Sequence, residues 1–455
     1  MTLPKDFETM MQRQLGQEEA EALCYALSET ESPISIRINK SKIDSYEEND
    51  NIESTIPWCQ DGFYLKNRPA FTFDPLLHAG CYYVQEASSM YLAQIIQTYV
   101  KDTPIVALDM CAAPGGKSTL ALSMLPQGSL LIANEVMRQR AQVLSENITK
   151  WGNPNSIVTS SYAEDFTALG EVFDLIICDA PCSGEGMFRK DQGAIDDWSL
   201  NNVDICWKRQ RDILQNIWQC LKPGGMLIYS TCTFNTLEDE ENVEWIVKEL
   251  GGEKLPLNDN PEWKITNGHF FPHKTKGEGF FISAIKKCGE SDTEIESNRK
   301  KKKKNKKKES KQKPTSIPKE IKQWLSSSSN FTFVADEDSY SAFPSQHINL
   351  YEQVKDTLKV ISAGVELATM KGKNLQPAHS LALSTALNRE AFPSVELSKE
   401  QAIAYLRTES IQVDAPKGYI LLTYHGQPLG FGKNIGNRVN NLYPNEWRIR
   451  SGYAH

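Results

Sequence analysis

A chain of 455 residues exceeds one ordinary domain, and its 40% hydrophobic and 24% charged residues suit folded globular protein. No apolar run approaches the roughly 18 residues that span a bilayer, and the N-terminus MTLPKDFETMMQRQ lacks a signal peptide's apolar segment, so a cytoplasmic protein without a membrane partner is expected. The net charge of −8 hides a polarised layout, because residues 299–313 carry eleven Lys/Arg against one Glu. Such a tract suits either a polyanionic partner or a solvated linker.

In chain order, residues 1–70 open with two amphipathic helical stretches. Phe7, Met10, Met11 and Leu15, then Ala20, Leu23, Cys24 and Leu27, recur at helical spacing. SPISIRINK (32–40) alternates Ile34, Ile36 and Ile38 with polar residues and predicts a half-buried strand with Arg37 and Asn39 on its other face. This reads as an α+β module. From 71 to 288 short apolar runs alternate with helical stretches. PIVALDM (104–110), SLLIANE (129–135), SIVTS (156–160), FDLIICD (173–179) and GMLIYST (225–231) predict buried parallel strands in a doubly wound α/β sheet. Ligands bind such sheets at the carboxyl edge. Residues 289–316 form a charged, lysine-rich linker. In 317–455, AIAYLRTES (402–410) reads as a helix and YILLTYHGQPLGFGK (419–433) as a hairpin turning at Gly-Gln-Pro.

The ten cysteines form no disulfide framework and no C-x-x-C pair, so neither disulfides nor a structural zinc is expected. His269 and His273 read as ordinary core or turn histidines, and no metal is expected.

The first strand ends at Asp109 and runs through Met-Cys-Ala-Ala-Pro-Gly-Gly-Lys-Ser-Thr (110–119) into a helix. Backbone N–H groups at a helix start hold anionic ligand groups, and Gly115 and Gly116 permit close approach. Glu135 ends the next strand, where an acid binds ribose hydroxyls. Cys111, Ala112, Ala113, Pro114, Gly115, Gly116, Lys117, Glu135 and Arg140 are the candidate cofactor residues, together with Asp179. A phosphate-binding loop needs Gly where Cys111 stands, and the nicotinamide pattern G-x-G-x-x-G is absent. S-adenosylmethionine, which uses the same sheet geometry with a shorter Gly loop, keeps a modest lead.

The fourth strand ends in Asp179-Ala-Pro-Cys182-Ser-Gly-Glu-Gly and the fifth in Ser230-Thr231-Cys232. Both tips face the cofactor edge, so Asp179, Cys182 and Cys232 should converge there. A pyrimidine methylase wants such a set. Carbon 5 of cytosine is a poor nucleophile, and a thiolate adding to carbon 6 raises its electron density. A protonated Asp179, its pKa raised by burial, would neutralise charge developing at N3. A second thiol then assists release. A lone cysteine is more often a small buried apolar residue, which fits Cys24, Cys59, Cys81, Cys178, Cys206, Cys220 and Cys288.

Together APGGKS (113–118), NE (134–135), DAPCSGEG (179–186) and STC (230–232) resemble the RNA 5-methylcytosine methyltransferases of the NOL/NOP/Sun family. The resemblance implies a class I, Rossmann-like methyltransferase fold, S-adenosylmethionine as cofactor, Cys232 as nucleophile and Cys182 as the thiol of release. SIRINK (35–40), VQEASSM (84–90), RKD (189–191), QPAHSLALS (376–384) and NLYPNEWR (441–448) resemble the YebU/RsmF-type branch acting on bacterial small-subunit ribosomal RNA. That branch implies an N-terminal RNA-binding module, a PUA-like C-terminal β-rich domain and 16S rRNA as partner, free or within the 30S subunit. Arg37, Lys190, Lys433 and Arg448 are the candidate RNA contacts, and a monomer is the default. The sequence departs from the family at Tyr162, where an Asp usually meets the adenine, and at Asn440-Asn441, where Lys-Asn is common. Transfer RNA as substrate, or a non-catalytic assembly factor, are the competing readings.

Overall fold

A computed structural model describes residues 2–46, 49–258, 260–289, 317–372, 374–450 and 452. The lysine-rich tract, and all of the expected linker except Gly289, lie outside the described residues.

Two helices open the chain, α1 (Lys5–Leu15) and α2 (Gln17–Glu29). Phe7 and Met11 of α1 and Ala20, Leu23 and Leu27 of α2 form buried stripes, as their three- and four-residue spacing requires. These stripes close against Phe188, Trp198, Phe234 and Phe271, residues from segments that follow the two cysteine motifs. Phe7 stands edge-on to Phe188 and Trp198, at 5.1 and 5.8 Å.

Next comes an antiparallel sheet of β1 (Ile34–Ile38), β2 (Ile52–Ile56), β3 (Cys59–Leu65) and β4 (Tyr82–Val84), in the order β2-β3-β1-β4. The expected boundary at residue 70 falls inside this sheet. Nor is β1 half-buried: Ile36 and Ile38 share a core with Tyr405, Leu422, Leu429 and Tyr443 of the C-terminal region. Its polar face is covered as well, by the helices that flank the next sheet.

That sheet runs through β5 (Val106–Asp109), β6 (Leu130–Asn134), β7 (Ser156–Thr159), β8 (Phe173–Asp179), β9 (Leu221–Thr231), β10 (Gly252–Leu255), β11 (His269–Phe270) and β12 (Phe280–Lys287). β9-β8-β5-β6-β7 are parallel, and β12 joins β9 antiparallel. Alternate residues face opposite layers. Leu131 and Ala133 pack with Leu120, Leu144 and Ile148, whereas Leu130 and Ile132 pack with Leu214 and Ile217. Covered on both faces, the strands are apolar throughout. The chain goes outward from β5 to β7, then returns to lay β8 beside β5, so a crevice opens at the carboxyl ends of β5 and β8.

The C-terminal region adds β13 (Phe331–Ala335), β14 (Ser339–Pro344), β15 (Val360–Ala363), β16 (Val365–Lys371) and β17 (Asn374–Pro377), then β18 (Ser394–Glu396), β19 (Gly418–Tyr424), β20 (Gln427–Asn434) and β21 (Val439–Asn441). They form two four-stranded sheets, except for β15, which pairs antiparallel with β7 and extends the large sheet. The β19–β20 hairpin turns on His425 and Gly426, both at positive φ (49° and 70°), rather than on Gly-Gln-Pro. That is the backbone a tight two-residue hairpin requires. Among the described residues, no helix is long and apolar enough to cross a membrane.

Candidate active site

β5 delivers Asp109 to the crevice, fully buried, with Oδ2 accepting from the Ser118 hydroxyl at 2.6 Å. Its Oδ1 has no hydrogen-bond partner. Burial, against the Ser118 bond, pushes the Asp109 carboxyl up to about 7. Cys111, Ala112, Ala113 and Pro114 cross from there to Gly115, whose φ of 115° is in glycine's range, and the helix Gly116–Met124 begins. Ala112 N–H bonds the Asn134 carbonyl at 2.8 Å, which ties the loop to β6.

Glu135 follows β6, 3% exposed, and accepts from Met137 N–H at 2.9 Å. Arg140 bridges Glu135 at 3.1 Å and the Ala113 carbonyl at 3.0 Å, which brings these three residues together. Val136 and Met137 of this segment, and Tyr162 after β7, are exposed apolar or aromatic surface. An unpaired buried carboxylate oxygen, an acid after the second strand, a loop that turns at the positive φ of Gly115 and exposed apolar surface beside it together fit S-adenosylmethionine. Asp109 was missed as a site residue, although an acid at the tip of the first strand beside a topological switch is itself a signal.

β8 and β9 carry the two thiols. Cys182 Sγ lies 3.0 Å from Cys232 Sγ and accepts from Cys232 N–H at 3.3 Å. The neighbouring Cys232 sulfur and burial hold the Cys182 thiol well above its ordinary range, so it keeps its proton. Beside the pair, Lys117 Nζ meets Asp179 Oδ2 at 2.9 Å, and Ser230 donates to Asp179 Oδ1 at 2.7 Å. Burial works against the Lys117 ammonium, but the Asp179 charge outweighs it and leaves the group above its usual value. Both Asp179 oxygens are thus already accepting. Lys117, expected only as part of the cofactor loop, therefore brings an ammonium N–H to the same point as Asp179.

The candidate RNA contacts scatter. Arg37 is 2% exposed. Its guanidinium donates to Gln85 at 2.8 Å and Thr119 at 2.7 Å and lies 4.5 Å over the Trp151 ring. It is therefore an internal tie rather than a phosphate contact, because its polar face of β1 is roofed by a second layer. Lys190 is exposed and pairs with Glu278 at 3.2 Å, and Arg189 is held by the same carboxylate at 2.9 Å. Lys433 lies half-buried over the Tyr419 ring, at 5.2 Å, and Arg448 is exposed; both belong to the last sheet and its tail. His269 stands between Glu240 (2.7 Å) and Asp239 (3.8 Å), the one group with metal-ligand spacing among the described residues. Nε2 hydrogen-bonds Glu240, whereas Nδ1 and the Asp239 Oδ2 it faces have no hydrogen-bond partner.

Residues 96–286 match the family described as 16S rRNA methyltransferase RsmB/F. Residues 3–87 match the N-terminal domain of 16S rRNA methyltransferase RsmF, and 392–449 the methyltransferase RsmF PUA domain. The ribosomal RNA small subunit methyltransferase F of Aliivibrio fischeri (strain MJ11) is 34% identical over 419 residues, 87% of this chain and 86% of its own. The chain belongs to the RsmB/F family of 16S rRNA methyltransferases. Its relative of the same name in Aliivibrio salmonicida is 32% identical over 92% of this chain and 91% of its own. A solved methyltransferase homolog protein from Pyrococcus horikoshii shares 28% identity and a TM-score of 0.54, over 62% of this chain and 95% of that one. The cofactor of the family is S-adenosylmethionine, in keeping with the crevice, and its C-terminal PUA domain falls on the β18–β21 sheet.

Proposed function

We propose that the chain methylates carbon 5 of cytosine in 16S ribosomal RNA, through a covalent bond from Cys232 to carbon 6. The observation that carries this is the pair of sulfurs 3.0 Å apart beside the Lys117–Asp179 ion pair, at the carboxyl edge of β8 and β9. A binding protein has no use for two adjacent thiols there.

The target base must leave its stack to reach the crevice. Cys232 thiolate adds to carbon 6, and electrons flow through the ring toward N3 and O2. Lys117, held by Asp179, faces that developing negative charge with a fixed ammonium. When bound, S-adenosylmethionine supplies an electrophilic methyl group for carbon 5. Cys182 then gives its proton to the departing Cys232 sulfur and takes the proton from carbon 5. The carbon 6–sulfur bond breaks, the ring regains its double bond, and both cysteines end as thiols, one of which releases its proton to solvent. Asp109 and Glu135 hold the donor, through an unpaired carboxylate oxygen and through ribose hydroxyls.

The test is methyl transfer from labelled S-adenosylmethionine to purified small subunits, large subunits and transfer RNA, with the modified base identified. Label as 5-methylcytosine in small-subunit RNA is the expected result. Label confined to transfer RNA overturns the substrate, and label on another base or atom overturns the chemistry.

A further inference from the structure

The two thiols sit on separate loops, one after β8 and one after β9. Sulfur chemistry between them needs those loops held in register. Two buried carboxylates lie between the loops, each 0% exposed. Glu185 belongs to the Cys182 loop, but its carboxylate accepts from the other one: from Phe234 N–H at 2.8 Å, Asn235 N–H at 3.1 Å and the Thr233 hydroxyl. Glu238 belongs to the Cys232 loop, and it accepts from Ser183 N–H at 3.0 Å, the residue after Cys182. The Ser183 hydroxyl also donates to it, as does Gln210 at 2.8 Å. The side-chain amide of Asn235 bridges the two acids, donating to Glu185 at 2.9 Å and Glu238 at 2.7 Å. Trp198 N–H completes the Glu185 shell at 3.1 Å.

We propose that Glu185 and Glu238 are reciprocal positioning residues, each gripping the backbone of the opposite cysteine loop and so setting the separation of Cys182 and Cys232. Neither carboxylate hydrogen-bonds either sulfur. Burying two like charges side by side is costly unless every oxygen is paired, and burial together with the neighbouring Glu185 already raises the Glu238 carboxyl. An amide in place of either acid turns an acceptor into a donor facing N–H groups, with no partner for it. The alternate use of both acids means that neither loop can shift without breaking bonds to the other. The catalytic consequence rests on the methyl-transfer reading above; the geometric one does not.

The experiment compares wild type with Glu185→Gln and Glu238→Gln in the full-length chain. It measures S-adenosylmethionine affinity, single-turnover methyl transfer to small-subunit RNA, and the rate at which diamide joins Cys182 to Cys232, mapped by peptide mass spectrometry. In that joining each thiol loses a proton and an electron, and diamide is reduced to the hydrazine. The expected result is unchanged cofactor affinity, transfer slowed about 100-fold, as for a misplacement of about 1 Å, and joining slowed at least roughly tenfold, since that bond tolerates little error in sulfur placement. Glu238→Asp, which keeps the acceptor, should recover part of both rates. Slow transfer with an unchanged joining rate overturns the proposal. Loss of cofactor binding along with activity also overturns it, by making the acids general supports of the fold. If the Gln variants do not fold, Ser183→Ala removes one hydroxyl bond alone and must still slow joining. Wild type that fails to methylate cytosine, but whose variants still join slowly, refutes the chemical reading and keeps the clamp.

Discussion

Replacing Arg37 by Ala tests where the N-terminal module is anchored. Arg37 lies between the N-terminal sheet and the helices Gly116–Met124 and Arg138–Trp151, through Gln85, Thr119 and the Trp151 ring. Removing a large buried side chain costs about 2–5 kcal/mol in lost packing. Leaving the Gln85 carbonyl without its donor adds about 1–3 kcal/mol. One term opposes these. Among the described residues no carboxylate pairs with Arg37, and burial pushes its pKa down to about 10, so relieving that charge returns about 3 kcal/mol. The terms net to a loss between about 0 and 5 kcal/mol, centred on ~2.5 kcal/mol. Urea unfolding followed by tryptophan fluorescence should show an earlier midpoint at unchanged slope. RNA affinity measured across a salt series should keep its slope, because no phosphate contact is lost. An unchanged unfolding midpoint, with weaker RNA binding and a salt slope reduced by about one, refutes the internal assignment.

Three further expectations concern the crevice. Cys232→Ala should abolish turnover while S-adenosylmethionine still binds, and Cys182→Ala should accumulate a protein–RNA adduct that survives denaturing gels; an adduct in the Cys232 variant instead reverses the two roles. Lys117→Met keeps the volume and removes the ammonium, so single-turnover transfer should fall about 100-fold or more, and a rate within a few-fold of wild type removes Lys117 from the mechanism. Asp109 has a folded pKa of about 7, above its unfolded value, so its contribution to stability is complete below about pH 4 and is lost as pH rises through about 7. Wild type should therefore lose stability relative to Asp109→Asn between those limits and run parallel to it at higher pH; parallel curves throughout contradict the burial of that carboxyl.

The large sheet was legible because both of its faces are covered, so each strand is an apolar run that composition alone reveals. The thiols were legible because they stand at strand tips beside Gly and Pro. What escaped shares a cause. Alternation in β1 tells which face is apolar, and it does not tell whether the polar face is wet; Arg37 and Asn39 lie under a second layer. Glu238 sits in the run Glu238–Glu241 (EDEE), which reads as solvated surface, and only the fold brings the Cys182 loop onto it. Lys117 was placed with the cofactor because its neighbours in sequence are loop residues, whereas its partner Asp179 comes from another strand. β15 left no signal at all: four half-buried residues become part of the large sheet only by meeting β7.

That meeting bears on how this protein can be taken apart. With Val360 opposite Thr159 and Ala363 opposite Ile157, the C-terminal region supplies the outermost strand of the sheet that holds the chemistry. Ending the chain just after β12 would strip β7 of its neighbour and leave a row of open backbone groups beside Ile157 and Val158, an invitation to aggregate. A chimera that exchanges the PUA domain for another should therefore be spliced downstream of Pro377, which keeps β15 on β7 and the β13-β14-β16-β17 sheet whole, so that the enzyme keeps its selvedge.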